Sequence, residues 1–200
     1  MFTQEDGEYA VKLARKAIGS AVKDETIPEI DLPEKFEEKM GAFVTINKYP
    51  SEELRGCIGY PEPTYKLKKA IIQGAQNATR DPRFSPLREG ELESVIVEVS
   101  LLTPPEDVEY EEPDELPEKV VCGKHGLIAS KGARRGLLLP QVPVDQDWDE
   151  KEFLDHTCRK AGLRPSEWRE GNCQIEMFEG VIFKEEEPCG EVIERDIDDN

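Results

Sequence analysis

Apolar residues first recur at helical spacing in Ala10, Leu13, Ala14, Ala17, Ile18 and Ala21, and Thr3 with Asp6 three residues later supplies a capping box ahead of that stripe. An N-terminal helix is expected. Residues 24–33 read as a loop and 33–39 as a short helix. The pattern then changes: 41–47 is short and apolar, 48–53 is turn-like, and 54–60 reads as a return strand, so a strand pair is expected. Pro61 and Pro63 end it. Thr64 can cap a second helix whose apolar face is Leu67, Ala70, Ile71, Gly74, Ala75 and Ala78, and Asp81-Pro82 stops it. Residues 94–102 alternate, with Val95, Val97, Val99 and Leu101 on one face, and Pro104-Pro105 terminates them.

The second half repeats this order. A strand at 126–130, a turn at 131–134 and a return strand at 135–140 precede a helix capped by Asp149, carrying Phe153, Leu154, Thr157, Cys158 and Ala161 and stopped by Gly162. A strand over 173–183 follows. Both halves read β-β-α-β, and both place Arg-Gly in the return strand, as Arg55-Gly56 and Arg135-Gly136. The expected fold is α+β. An N-terminal helix leads into two interleaved subdomains with cores near 41–102 and 126–183, a degenerate duplication with a cleft between its halves. The domain is expected to close at residue 184, leaving 185–200 as an acidic tail too poor in apolar residues to pack, and therefore disordered.

Composition narrows the functional classes. The net charge of −18, from 26 basic and 44 acidic side chains, opposes any broad grip on nucleic acid. No run approaches the ~18 apolar residues of a membrane span, and the acidic start MFTQEDGEYA has no apolar stretch of a signal peptide, which points to the cytoplasm and away from membranes. Cys57, Cys122, Cys158, Cys173 and Cys189 include no CxxC, and with only His125 and His156 to help they predict free thiols and no metal site.

Chemistry concentrates at Leu54-Arg55-Gly56-Cys57-Ile58-Gly59. Strand alternation puts Arg55 and Cys57 on one face, where a guanidinium would favour the nucleophilic thiolate and could also grip a carboxylate or phosphate. Gly56 and Gly59 leave room for a ligand or another backbone to approach. Cys57 is equally well read as a small buried hydrophobe, and Leu137 stands at the matching place in the second half. Asp81, in the turn Asp81-Pro82-Arg83-Phe84, could orient Arg55 or act as a base, and Arg83 could join it in binding a ligand. His125 has the pKa range for proton transfer.

The blocks Gly41-Ala42-Phe43-Val44-Thr45, Leu54 to Gly59, Asp81 to Phe84, His125-Gly126 and Leu139-Pro140-Gln141-Val142, in this order, resemble the signature blocks of the AMMECR family, over residues 3–184. The spelling Leu-Leu-Leu-Pro-Gln-Val at 137–142 is similar to archaeal or bacterial members. The resemblance implies two α+β subdomains with the hallmark block near a cleft. It also ties the chain to a modification pathway, because relatives stand beside a Memo-like domain and a radical-SAM enzyme. It brings no cofactor and no assigned catalytic residue. Two functions stay open: an enzyme or enzyme subunit with a small anionic or nucleotide-like ligand, using Arg55, Gly56, Gly59 and Arg83 for binding and Cys57, Asp81 and His125 for chemistry, or a non-catalytic adaptor for a partner protein.

Overall fold

The computed structural model describes residues 2–195. Its helices are α1 (Gln4–Lys23), α2 (Leu67–Ala78), α3 (Leu116–Lys119), α4 (Gln141–Asp145) and α5 (Glu150–Lys160). Its strands are β1 (Gly41–Lys48), β2 (Leu54–Tyr60), β3 (Val95–Leu102), β4 (Glu106–Asp107), β5 (His125–Lys131), β6 (Arg134–Leu138), β7 (Gln174–Glu185) and β8 (Val192–Arg195). The α+β class expected from the pattern is what the chain adopts. Two units divide it, residues 2–104 with Val181–Arg195, and Pro105–Gly180. The second unit is thus inserted into the first, and β7 contributes residues to both.

In the first unit, β1 lies between β2 and β3, antiparallel to each, with Thr45 opposite both Cys57 and Glu98. Helices α1 and α2 bury one face. Ala10, Ala14, Ala17 and Ile18 join Leu67, Ile71, Ala75, Val44, Ile46, Val97 and Val99 in a core in which most side chains have no exposure. The Thr3–Asp6 capping box forms as the sequence predicts. Thr64 does not cap α2, which starts at Leu67 after Lys66 without a side-chain cap. Residues 34–37 form one 3-10 turn. Every residue of β3 is buried, so its second face, carrying Ile96, Glu98 and Ser100, is covered as well.

The expected tail needs correction. Residues 192–195 form β8, which pairs antiparallel with the end of β7. Val192 packs partly buried against the first-unit core, and polar contacts add to it. Gln4 Nε2 donates to the Val192 carbonyl at 2.5 Å, and Arg195 Nη1 donates to Glu98 Oε2 at 3.3 Å. Glu185, 3% exposed, pairs with Arg15 and accepts the Val97 N–H at 2.9 Å. Residues 196–200 lie outside the described residues.

The second unit repeats the wiring. A β5–β6 hairpin, helix α5 and β7 follow in order, and β5 lies between β6 and β7, antiparallel to both. Leu127, Ala129, Phe153, Leu154, Cys158, Trp168 and Ile175 form its core, and β4 extends the ladder on β7. The Asp149 capping box forms, and Gly162 adopts the left-handed conformation (φ 72°) just past α5. The strand expected to continue to Phe183 does so, but residues 181–185 belong to the first unit. Among the described residues no helix is long and apolar enough to cross a membrane.

Candidate functional site

The glycines of the hallmark strand are occupied from both sides. A Cβ on Gly56 would sit 2.3 Å from the Ala78 carbonyl oxygen, so the last turn of α2 rests directly on the strand. A Cβ on Gly59 would meet the Phe43 ring at 2.2 Å, because Phe43 lies opposite it on β1. The close approach expected at these glycines is made at Gly56 by another backbone and at Gly59 by the Phe43 ring, so both glycines serve packing on that side.

Arg55 is also placed differently from the expectation. The β1–β2 register slips between Ile46 and Asn47, Ile46 facing Gly56 and Asn47 facing Leu54, which leaves Arg55 on a bulge with no residue opposite. A bulge re-aims its side chain. The guanidinium turns to Glu91, with Nε to Oε1 at 2.9 Å and Nη2 to Oε2 at 3.2 Å, and Nη2 also donates to the Pro86 carbonyl at 3.4 Å. Arg55 is 6% exposed. Its donors secure the 86–91 segment, so it is not a free anion fork, and Asp81 does not orient it.

The cation beside Cys57 is Arg83. Asp81 accepts from Arg83 Nε at 3.0 Å and Nη2 at 2.7 Å, from the Arg83 N–H at 3.0 Å, and from the Cys57 N–H at 2.9 Å. Arg83 Nη2 also reaches the Cys57 carbonyl at 3.3 Å. Asp81 thus clamps its loop to β2. The Arg83 hydrogen bonds, backed by the two backbone donors, hold the Asp81 carboxyl well below the usual carboxylate range. A carboxylate so weakly basic, with its lone pairs committed, is unsuited to the base role expected of it. The Arg83 side chain remains 57% exposed.

Cys57 is half-buried, and its sulfur accepts from Thr45 Oγ1 at 3.2 Å. Burial pushes the thiol above its ordinary value, outweighing Thr45 and Arg83, which pull it down, while Glu98 and Asp81 push the same way as burial. Arg55 takes no part, and the expected activated thiolate gives way to a neutral thiol at neutral pH. Across Thr45 from Cys57 stands Glu98, the one charged side chain in β3 and 7% exposed. Burial raises its carboxyl, and Arg195 only partly counteracts this. Cys57, Thr45 and Glu98 therefore form a row across three strands. Neither Thr45 nor Glu98 was singled out from sequence, although a lone Glu in Val-Ile-Val-Glu-Val-Ser-Leu-Leu was a readable signal.

His125 belongs to the second unit. Its Nδ1 accepts the Val121 N–H at 3.0 Å, closing the turn before β5, and burial lowers its pKa with help from Lys124. The contacts around His125 are those of a turn-closing acceptor. Among the described residues no three His, Cys, Asp or Glu side chains are grouped to hold a metal ion.

The family model for AMMECR1 matches residues 11–183. Protein MK0488 of Methanopyrus kandleri is 51% identical over 198 residues, covering 98% of this chain and 96% of that protein. Protein MJ0810 of Methanocaldococcus jannaschii is 48% identical, with 98% of each chain covered. The crystal structure of uncharacterized protein PH0010 from Pyrococcus horikoshii superposes with a TM-score of 0.82 at 46% identity, covering 98% of both chains. The chain belongs to the AMMECR1 family.

Proposed function

We propose that the protein is an enzyme or enzyme subunit that binds a small carboxylate or phosphate-bearing ligand at Arg83, beside the Cys57–Thr45–Glu98 row. The supporting observation is the guanidinium itself. Asp81 fixes it at two points, and more than half of the side chain faces solvent. Among the described residues its Nη1 has no protein acceptor, so one donor edge is preorganised toward solvent. A fixed fork loses little freedom on gripping an anion. In this reading Cys57 is a neutral pocket-wall thiol, and Glu98, with its raised pKa, is the group suited to hold and release a proton.

A thermal-shift screen of carboxylates, phosphates and nucleotides tests the proposal, since a ligand of the native state raises apparent stability. At least one anion class should raise the melting temperature of the wild type and lose that effect in Arg83→Gln. Full retention of every shift in Arg83→Gln, or no shift by any anion at millimolar concentration, would overturn it. The adaptor reading has its own support: Tyr49 and Leu54, at the turn end of the β1–β2 hairpin, are 42% and 38% exposed. It requires a copurifying partner that is lost with Tyr49→Ser/Leu54→Ser and kept with Arg83→Gln.

A further inference from the structure

The five cysteines are free, but two of them are not isolated. Cys158, near the end of α5, and Cys173, the residue before β7, bring their sulfurs to 3.9 Å of one another in the second-unit core. Cys158 has no exposure and Cys173 has 7%. They lie 15 positions apart in sequence, and the stretch between them holds the Arg164–Glu170 turn and Trp168, whose indole donates to Asp155 at 2.6 Å.

We propose that Cys158 and Cys173 are an oxidisable dithiol that closes to a disulfide and fastens the end of α5 to the start of β7. The sulfurs, 3.9 Å apart, must approach by about 1.9 Å to reach bonding distance. The two thiols have unequal roles. The two sulfurs lie within hydrogen-bonding reach, and either can donate. The Lys131 ammonium favours the thiolate of Cys173, while burial and Glu167 oppose it. Cys173, the slightly exposed member, is therefore the attacking sulfur and Cys158 the resolving one.

The oxidant is hydrogen peroxide, small enough to reach a sulfur whose residue is 7% exposed. The Cys173 thiolate attacks one peroxide oxygen, the O–O bond breaks, and Cys173 becomes a sulfenic acid while hydroxide takes up the released proton to give water. Cys158 sulfur then attacks the Cys173 sulfur. The S–S bond forms, the S–O bond breaks, and the Cys158 proton leaves with the departing hydroxide as a second water. Two thiols lose two electrons and one peroxide is reduced to two waters. The remaining cysteines have no such arrangement. The Cys57 sulfur is tied to Thr45, burial with Glu150 and Asp149 pushes Cys122 up to about 11, and Cys189 lies exposed.

The test uses the full chain carrying Cys189→Ser, which removes the exposed thiol. One equivalent of hydrogen peroxide on the folded protein should lower the intact mass by about two daltons, and peptide mapping should find the link between residues 158 and 173. Dithiothreitol should reverse it. The closed form should melt at a higher temperature than the reduced form, because the bond restricts the unfolded chain. In Cys158→Ala the reaction should stop at a sulfenic acid on Cys173, trapped by dimedone. If Cys158→Ala does not fold, mapping of the Cys189→Ser protein decides alone. A mass gain instead of a loss, a link between other cysteines, or unchanged thiols after treatment would overturn the proposal.

Discussion

The two units carry the same β-β-α-β wiring and differ in what the wiring is used for. In each, a glycine on the return strand receives the end of the following helix: Gly56 under Ala78, and Gly136 within 2.2 Å of the Ala161 nitrogen if a Cβ were present. The residue after each glycine faces the middle strand, Cys57 against Thr45 and Leu137 against Ile128, and beyond the middle strand stand Glu98 and Glu176. In the second unit Arg135 bonds Glu176 directly, Nη1 to Oε2 at 2.5 Å. In the first, the bulge sends Arg55 to Glu91 and leaves Glu98 to Arg195 at 3.3 Å. The Arg-Gly pair is thus shared architecture, and the units diverge in the row beside it: a thiol, a hydroxyl and a carboxyl of raised pKa paired with Arg195 stand where the second unit has Leu137, Ile128 and a carboxylate paired with Arg135.

The largest expected effect tests what is shared. Gly56→Ala and Gly136→Ala each drive a Cβ into helix-end backbone that cannot swing aside, so each should lower stability by about 3 kcal/mol in urea titrations. Equal losses support a common structural role. A near-neutral result at either glycine would break the correspondence between the units.

Asp81 comes next, because its clamp has no counterpart among the matched positions of the second unit. Asp81→Asn removes the charge that holds Arg83 and weakens an acceptor of the Cys57 N–H, and should destabilise by about 2 kcal/mol at neutral pH. The pH dependence has a definite sign. The folded carboxyl titrates below its unfolded value, so its stabilisation is fully present above the unfolded pKa of about 4 and is lost as pH falls toward the folded value. The gap in melting temperature between wild type and Asp81→Asn should stay constant from about pH 6 to 8 and narrow below about pH 4. A gap that widens on acidification would contradict the clamp.

The sequence made the local elements legible because their signals are local. A short apolar run and its return strand located β1 and β2, and alternation located β3, each within a residue or two, and Thr3 and Asp149 cap their helices as read. What stayed hidden depends on partners distant in sequence. The bulge that turns Arg55 away is set by pairing with Ile46 and Asn47, and Glu91 lies 36 residues from Arg55. The strand at 192–195 has only Val192 and Ile193 as an apolar signal, and owes its place to the β7 ladder, Gln4 and Glu98. The sequence puts Arg55 beside Cys57 because alternation presumes an unbroken register, whereas the bulge turns Arg55 away and Arg83 is the cation that reaches Cys57.

Arg55 offers a sharper contrast. With the Arg55 side chain at 8% exposure and Glu91 at 37%, Arg55→Gln loses charge-assisted hydrogen bonds in a covered place and should cost about 1.5 kcal/mol. The rate of Cys57 alkylation should not change in Arg55→Gln, since Arg83 is the cation acting on that thiol, and should fall in Arg83→Gln. A slowed reaction in Arg55→Gln, read by mass spectrometry at pH 8, would restore the pairing first expected.

The smallest expected effect is at Arg135. Its side chain is 37% exposed and Glu176 is 16% exposed, so water and salt screen the pair, and Glu176 keeps access to solvent when the partner goes. Arg135→Gln should therefore cost less than about 0.5 kcal/mol, and the difference should shrink further at high ionic strength. A double-mutant cycle with Glu176→Gln isolates the pair and should return a coupling of similar size. The comparison with Arg55→Gln carries the meaning. Two arginines stand before matching glycines, and only the one displaced by a bulge and buried against the 86–91 segment should matter to stability. If Arg135→Gln proves as damaging as Arg55→Gln, the surface pair is as strong as the covered one, and the divergence between the units does not lie in where their arginines point.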